Sequence, residues 1–410
     1  MSRRLRALHI APIMPARSGN GLAMRQGMFL EALSRGFDTR LMVLPVVGRQ
    51  DAAATLPDEL GIPTEVIPVA GRQDTHFALL ARLADPGARI AAFRAYGRSS
   101  LASHLSAPVL ADLRAAAGAQ HYDLIHVGRS YLGDGLEGLS AGRATLDLDE
   151  DEWTSYREIA ATMRAADPAG SAWAEAESDA MAALIDRQSA HFASQFIASG
   201  RDAAAIRERH PTARLEIIEN AVAMPAEPGR RDDGATLLFV GAFGYAPNVD
   251  AAAWLVEEIW PAMQRRTPHS LRLLLAGRDA SRVAHLGVRD GVEVVGEVDD
   301  LAETYSRATV FIAPLRAGAG TRLKLLEAAA HGVPLVTTTL GARGLRFTHG
   351  RELLLADTTD GLAATALDAI ADAGASTSRA AAAMAIVRSH HERGAVIERL
   401  ACRLLDIAAT

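Results

Sequence analysis

A chain of 410 residues with 43 lysines and arginines against 49 aspartates and glutamates carries a formal charge of -6, which excludes a protein that grips duplex nucleic acid by neutralising its phosphates. Its single cysteine, Cys402, excludes an internal disulfide and a structural zinc site built on several thiolates, and fits a reducing, cytoplasmic compartment. The length exceeds what one hydrophobic core serves, so two domains are expected, and no uninterrupted apolar segment reaches the ~18 residues of a membrane span.

The N-terminus, MSRRLRALHIAPIMPARSG, sets arginines before an apolar run as a signal peptide does. His9, Pro12 and Pro15 interrupt it, and the stretch reads as a first strand, Leu5 to Ile13. Ser18-Gly19-Asn20-Gly21 leads into a helix from Leu22 to about Arg35, with Phe29, Leu30 and Leu33 on one face and Gly36 as its stop, and Thr39 to Val47 is a second strand. This βαβ opening puts the Gly19 and Gly21 loop at a strand's carboxyl end, where open α/β sheets bind ligands. The loop lacks the spacing of a dinucleotide fingerprint, and a tight structural turn explains it equally.

Alanine, leucine and arginine from about His76 to Ala117 predict two or three helices. Tyr122 to Val127 (YDLIHV) is a strand ending in His126, which reads either as a general base or substrate contact or as a structural polar group. Arg143 to Leu148 is a strand that runs into Asp147, Asp149, Glu150, Asp151 and Glu152. Alternation sets Asp147 and Asp149 on one face, aimed into a cleft at the sheet's edge. A metal site is one reading of these acids; the other has some of them favour the start of the next helix while the rest are solvated. Asp149 is the candidate for contacting a substrate. Helices to about Ala190 follow, with Trp153, Tyr156 and Trp173 as core or cleft-wall aromatics, then strands Phe192 to Ala198 and Leu215 to Ile218 around a helix capped by Ser199.

Asn220 to Asp233 (NAVAMPAEPGRRDD) has the prolines, glycine and charges of a linker. The alternation then restarts, with strands at Leu237 to Val240, Leu271 to Ala276, Val292 to Val295 and Thr309 to Ile312, helices from Asn248 or Asp250 and over Leu301 to Arg307, a late strand at Glu352 to Leu355, and a helical, alanine-rich end. Two such runs predict an α/β protein of two Rossmann-like, doubly wound parallel-sheet domains facing a central cleft. The bounds are 1–220 for the first domain, 221–234 for the linker and 235–375 for the second.

The richest stretch is Val310 to Thr339, VFIAPLRAGAGTRLKLLEAAAHGVPLVTTT. Pro314 closes a short strand, Gly318 and Gly320 flank Ala319 in a turn, Thr321 opens a helix, and Gly332 ends it. Leu323, Leu326 and Ala330 are expected to form its buried stripe, with Arg322, Lys324 and Glu327 off it. Glycines, a helix start and two cations suit a diphosphate, and Glu327 suits ribose hydroxyls. The alternative is an exposed Lys324–Glu327 helix pair worth roughly 0.2–0.5 kcal/mol.

Five segments, GAFGYAPNVD (241–250), GEVDDL (296–301), APLRAGAGTRLKLLE (313–327), HGVPLVT (331–337) and GARGL (341–345), together resemble the donor half of GT-B glycosyltransferases of family 4, also called group 1. The first half resembles the family more weakly, through its glycine loop, YDLIHV and LDLDEDE. The resemblance implies transfer of a sugar from a nucleotide-diphosphate-sugar co-substrate (UDP-, GDP- or dTDP-linked) to a sugar, lipid-linked or small-molecule acceptor, with retention and with neither a metal nor a tightly bound cofactor. It also implies catalytic roles for Arg322 and Lys324 as diphosphate clamp, with Asp149 or His126 serving the acceptor. Glu327 would hold the ribose, Val298 would lie by the base, the backbone of Gly318, Ala319, Gly320 and Thr321 by the phosphates, and Gly19 and Gly21 would close over them. Residues 376–410 would pack back on the first domain. The chain departs from the family pattern at Ala319, eight positions before Glu327, where many members carry a second glutamate, at Ala242 and Pro247 in place of an arginine and a lysine, and at Gly128 in place of a histidine. The other classes left open are a GT-B-fold epimerase of nucleotide sugars and a non-catalytic nucleotide-binding homologue. Arg3, Arg4 and Arg6 offer peripheral contact with the inner face of an anionic membrane, although three arginines are commonplace on a soluble surface.

Overall fold

The computed structural model describes residues 3–48, 53–226, 235–298, 301–318 and 322–410. The chain divides into two compact units, Met1–Glu219 with Ala395–Thr410, and Asn220–Gly394. Each holds one parallel sheet with its own core.

The strands of the first unit are β1 (Leu5–Ala11), β2 (Phe37–Val43), β3 (Thr64–Val66), β4 (Tyr122–Gly128), β5 (Ala141–Asp149), β6 (Ser194–Ile197) and β7 (Leu215–Ile217). They lie in the order β3-β2-β1-β4-β5-β6-β7. The central strands are near-continuous apolar runs because helices cover both faces of a parallel sheet; Ala7, Leu8, Ile10 and Ala11 of β1 are all fully buried. β1 and β2 each stop short of the expected ends, β1 before Pro12 and β2 before Pro45, since proline donates no ladder bond. The helix between them, Gly21–Gly36, is capped by Asn20, whose side chain accepts from Leu22 N at 2.8 Å.

The strands of the second unit are β8 (Ala235–Val240), β9 (Leu271–Ala276), β10 (Val292–Gly296), β11 (Val310–Ala313), β12 (Leu335–Thr337) and β13 (Leu354–Leu355), in the order β10-β9-β8-β11-β12-β13. Strand order reverses at β8, which lies between β9 and β11. In open α/β sheets the crevice at such a reversal, outside the carboxyl ends of the strands, is where ligands bind. The helical run 246–266 that follows β8 loosens to a π-turn over Leu255–Ile259 just before Pro261, a residue that cannot donate an intrahelical bond.

Two expectations about the second unit need correction. The helix after β11 is Leu323–Ala330, and it packs on β11, β12 and the helix Ala373–His390. Covered from more than one side, it buries Leu325, Leu326 and Ala328 to Ala330, whereas Leu323 is only half-buried. The return to the first unit also comes later than position 376. Ala373–His390 stays with the second unit, where His391 Nδ1 meets Asn220 O at 2.8 Å and Val222 bridges Glu392. The helix Arg393–Ala409 joins the first unit only from Ala395 onward. There Arg403 pairs with Glu216 at 2.6 Å, and Leu405 fills the space that a Cβ on Gly36 would occupy. Most of the expected linker, 227–234, lies outside the described residues.

Candidate functional site

In the second unit the turns after β8 and β11 flank the reversal crevice. Gly318 holds φ +103°, open to glycine, and a Cβ there would sit 3.0 Å from the Tyr245 hydroxyl across the crevice. Arg322, 8% exposed, donates from Nη2 to Gly318 O at 2.5 Å, so the guanidinium folds back on the turn it follows. Ala319, Gly320 and Thr321, predicted to line the phosphates, lie outside the described residues, as does the expected helix start at Thr321.

Lys324 is the only lysine in the chain; the other 42 basic residues are arginines. Its Nζ donates to Asn248 Oδ1 at 2.6 Å and stands 4.7 Å from the centre of the Phe239 ring. Burial, helped by the nearby Arg322 charge, pushes its pKa down to about 7. Glu327 does not pair with it. The Glu327 carboxylate accepts instead from the Tyr305 hydroxyl at 3.4 Å, and burial pushes it up to about 7. The exposed helix pair is therefore not formed, because each partner is engaged by another element. An incoming dianion would draw a full proton onto Lys324, and the amine is placed to respond. At the far side of the sheet Glu297 is exposed and Val298 half-buried, just beyond the end of β10.

In the first unit Gly19 is exposed at φ +93° with open space around it, and Gly21 begins the following helix. The acidic run after β5 differs from expectation. The β5–β6 register slips between Asp147 and Asp149, and Asp149 takes φ +63°, so simple alternation ends there. Asp147 faces no cleft. Fully buried, it receives Arg25 Nε at 2.8 Å and Nη2 at 2.7 Å, and burial raises its pKa against that pairing. Arg129, itself at φ +84°, reaches Asp149 at 3.1 Å, Glu150 at 3.2 Å and Glu152 at 2.8 Å, while Arg209 pairs with Asp151 at 2.6 Å. Three arginines from other elements absorb acids that read as cleft-facing, helix-starting or solvated, and Asp151 caps the next helix as one of those readings has it. Asp149 keeps partial exposure; its side chain is 15% accessible.

His126, read as a general base or substrate contact or as a structural polar group, sits inside the first unit. It is 0% exposed, stacks on Phe29 at 4.1 Å and shares Nδ1 with Thr145 Oγ1 at 2.9 Å. Burial and the neighbouring His9 and Arg25 hold its pKa well below the ordinary histidine value. Sequence reasoning missed Asn248 as a partner and Arg25 as a buried charge. The second had a signal, since Arg25 stands four residues before Phe29 on the buried face of its helix. Among the described residues no group of three His, Cys, Asp or Glu is arranged to hold a metal ion, and no helix is long and apolar enough to cross a membrane.

Two all-parallel sheets of seven and six strands, the second with a cation-bearing turn at its reversal, define a GT-B-like fold. The chain is similar over 98% of its length to HepE of Anabaena, solved in complex with UDP and glucose, with TM-score 0.64, 13% identity and 99% of that chain covered. Residues 234–372, which make up most of the second unit, match the family Glycosyl transferases group 1. Two curated relatives are more local matches. One is the lipopolysaccharide core biosynthesis mannosyltransferase LpsB of Rhizobium meliloti (strain 1021), 32% identical over 33% of this chain, and the other an uncharacterized 44.6 kDa protein in the cps region of Klebsiella pneumoniae, 26% identical over 30%. The matches span 40% and 33% of those relatives.

Proposed function

We propose that the protein transfers a glycosyl group from a nucleoside-diphosphate sugar to a sugar or lipid-linked acceptor in the building of a surface polysaccharide. The observation that carries this reading is that Arg322, folded onto Gly318 O, and Lys324, held by Asn248, bring two neighbouring positive charges to the strand-order reversal. As the glycosidic bond breaks, its electron pair leaves with the β-phosphate, and fixed cations in a partly dry crevice stabilise that growing charge more than water would. Arg322 and Lys324 supply this stabilisation, in place of a metal, and the configuration at the anomeric carbon is retained. Glu327 is the ribose contact, its carboxyl poised between accepting and donating near neutral pH, and Val298 lies by the base. Asp149, held by Arg129 and partly exposed, is the acceptor contact of the first unit.

The relatives support the substrate class. HepE was solved with UDP and glucose, LpsB is a lipopolysaccharide core mannosyltransferase, and the Klebsiella relative belongs to a cps region. Thermal-shift screening against UDP-, GDP- and dTDP-sugars tests the donor, since a ligand at 100 times its dissociation constant adds ~2.7 kcal/mol of stability. No shift with any of them would overturn the reading. Product of isomeric nucleotide sugar from donor alone would replace transfer by epimerisation.

A further inference from the structure

Asn248 ties together the two turns at the reversal of the second sheet. Its Nδ2 donates to Ala242 O at 2.9 Å, in the turn after β8, and its Oδ1 receives Lys324 Nζ at 2.6 Å, from the helix after β11. A carbonyl only accepts and an ammonium only donates, so the carboxamide has a single workable orientation. The residue is 8% exposed, and a Cβ on Gly241 would lie 3.1 Å from its Cγ, so its surroundings hold it in place.

Among the described residues no carboxylate forms an ion pair with the charge it holds. Arg322 repels Lys324, Glu327 attracts it without direct contact and accepts from Tyr305, Phe239 offers a ring face, and Asp250 on the same helix as Asn248 pairs with Arg316 at 2.6 Å. A neutral acceptor directs an ammonium without cancelling its charge, whereas a carboxylate would do both. The chain uses arginine at every other basic position, so the lysine here answers a local need. A compact ammonium on a flexible stem fits beside a carboxamide and an aromatic face, where a planar guanidinium with five donors would not find acceptors.

We propose that Asn248 is a positioning residue for the donor site: it aims the Lys324 ammonium at the leaving diphosphate while adding no negative charge of its own. The inference rests on the proposed donor site and deepens it.

A single lysine makes the test direct, because a full-length chain labelled with [13Cε]lysine gives one lysine side-chain resonance, without any ligand. Asn248→Asp keeps the acceptor but adds a charge, and should move the Lys324 titration midpoint up by at least one pH unit while the fold is kept. Asn248→Leu removes the acceptor; it should loosen the Cε order and lower kcat about 100-fold, with KM for the donor rising less. A purely structural Asn248 would change melting temperature while leaving kcat of the folded leucine variant unchanged; that result, or an unmoved midpoint in the aspartate variant, overturns the proposal. Lys324→Met separates the two layers of the argument. If it loses turnover while Asn248→Leu retains it, only the positioning role falls; if it retains turnover, the donor-site reading falls as well.

Discussion

Replacing Arg25 with methionine removes a guanidinium with no exposed side-chain surface and strands the Asp147 carboxylate, equally buried, in the middle of the first unit. Asp147 would keep only Gln26 Nε2 at 3.4 Å and Asp149 N at 3.2 Å, in place of contacts from Arg25 at 2.7 and 2.8 Å. Breaking a buried pair by deleting one partner costs about 3–5 kcal/mol, since the remaining charge stays desolvated. The Ile218 carbonyl, which receives Arg25 Nη1 at 3.0 Å, is left short of a donor too. Amide hydrogen exchange at β1, β4 and β5 reads the stability of this unit separately, and protection there should fall by roughly two to four decades. Adding Asp147→Leu to Arg25→Met should restore most of the loss, because the pair is then replaced by apolar groups of similar volume. Less than about 1 kcal/mol of loss in the single variant, or no recovery in the double one, would refute the reasoning.

Stability of the unliganded second unit should pass through a minimum near pH 7. Glu327 has its folded pKa raised from 4.5 to about 7, so its contribution is lost as pH rises through that window; Lys324 has its folded pKa lowered from 10.5 to about 7, so its contribution grows from about 7 up to 10.5. Melting of Glu327→Gln should lose the acid limb and that of Lys324→Met the alkaline limb. In the first unit the buried His9, held down to about 4, must charge on unfolding at its ordinary 6.5, so stability should fall between pH 6.5 and 4, and His9→Asn should flatten that fall in exchange-detected unfolding. Lys324→Arg, conservative by charge alone, should cut turnover at least tenfold, since the guanidinium fork does not match one carboxamide oxygen. Gly318→Ala should weaken donor binding about tenfold, as measured by calorimetry, because φ +103° and the Tyr245 hydroxyl both resist a Cβ.

The parallel alternation was legible because inner strands such as β1 and β9 are near-continuous apolar runs, broken only by Arg6 and His9 in the first and Arg272 in the second, while prolines and glycines mark their ends. β3 escaped notice: three residues, half-buried to exposed, carry no periodicity. In the candidate site the turn, its cations and Glu327 could be read locally, since a glycine turn and helix are contiguous in sequence. Their partners could not. Lys324 and Asn248 are 76 positions apart, and Arg25 and Asp147 are 122 apart. The acids 147–152 read as cleft-facing, helix-starting or solvated because a charge run is judged by its neighbours in the chain, and here the compensating arginines arrive from elsewhere in the fold.

The helix Arg393–Ala409 belongs to the first unit yet follows the whole of the second in the chain. During synthesis the groove beside Gly36 and the Glu216 carboxylate therefore stay uncovered while about 175 further residues emerge and fold, since domains form as units from the N-terminal side. The first unit is thus begun before the second and finished after it, and a ribosome stalled between positions 219 and 395 leaves it with an open seam.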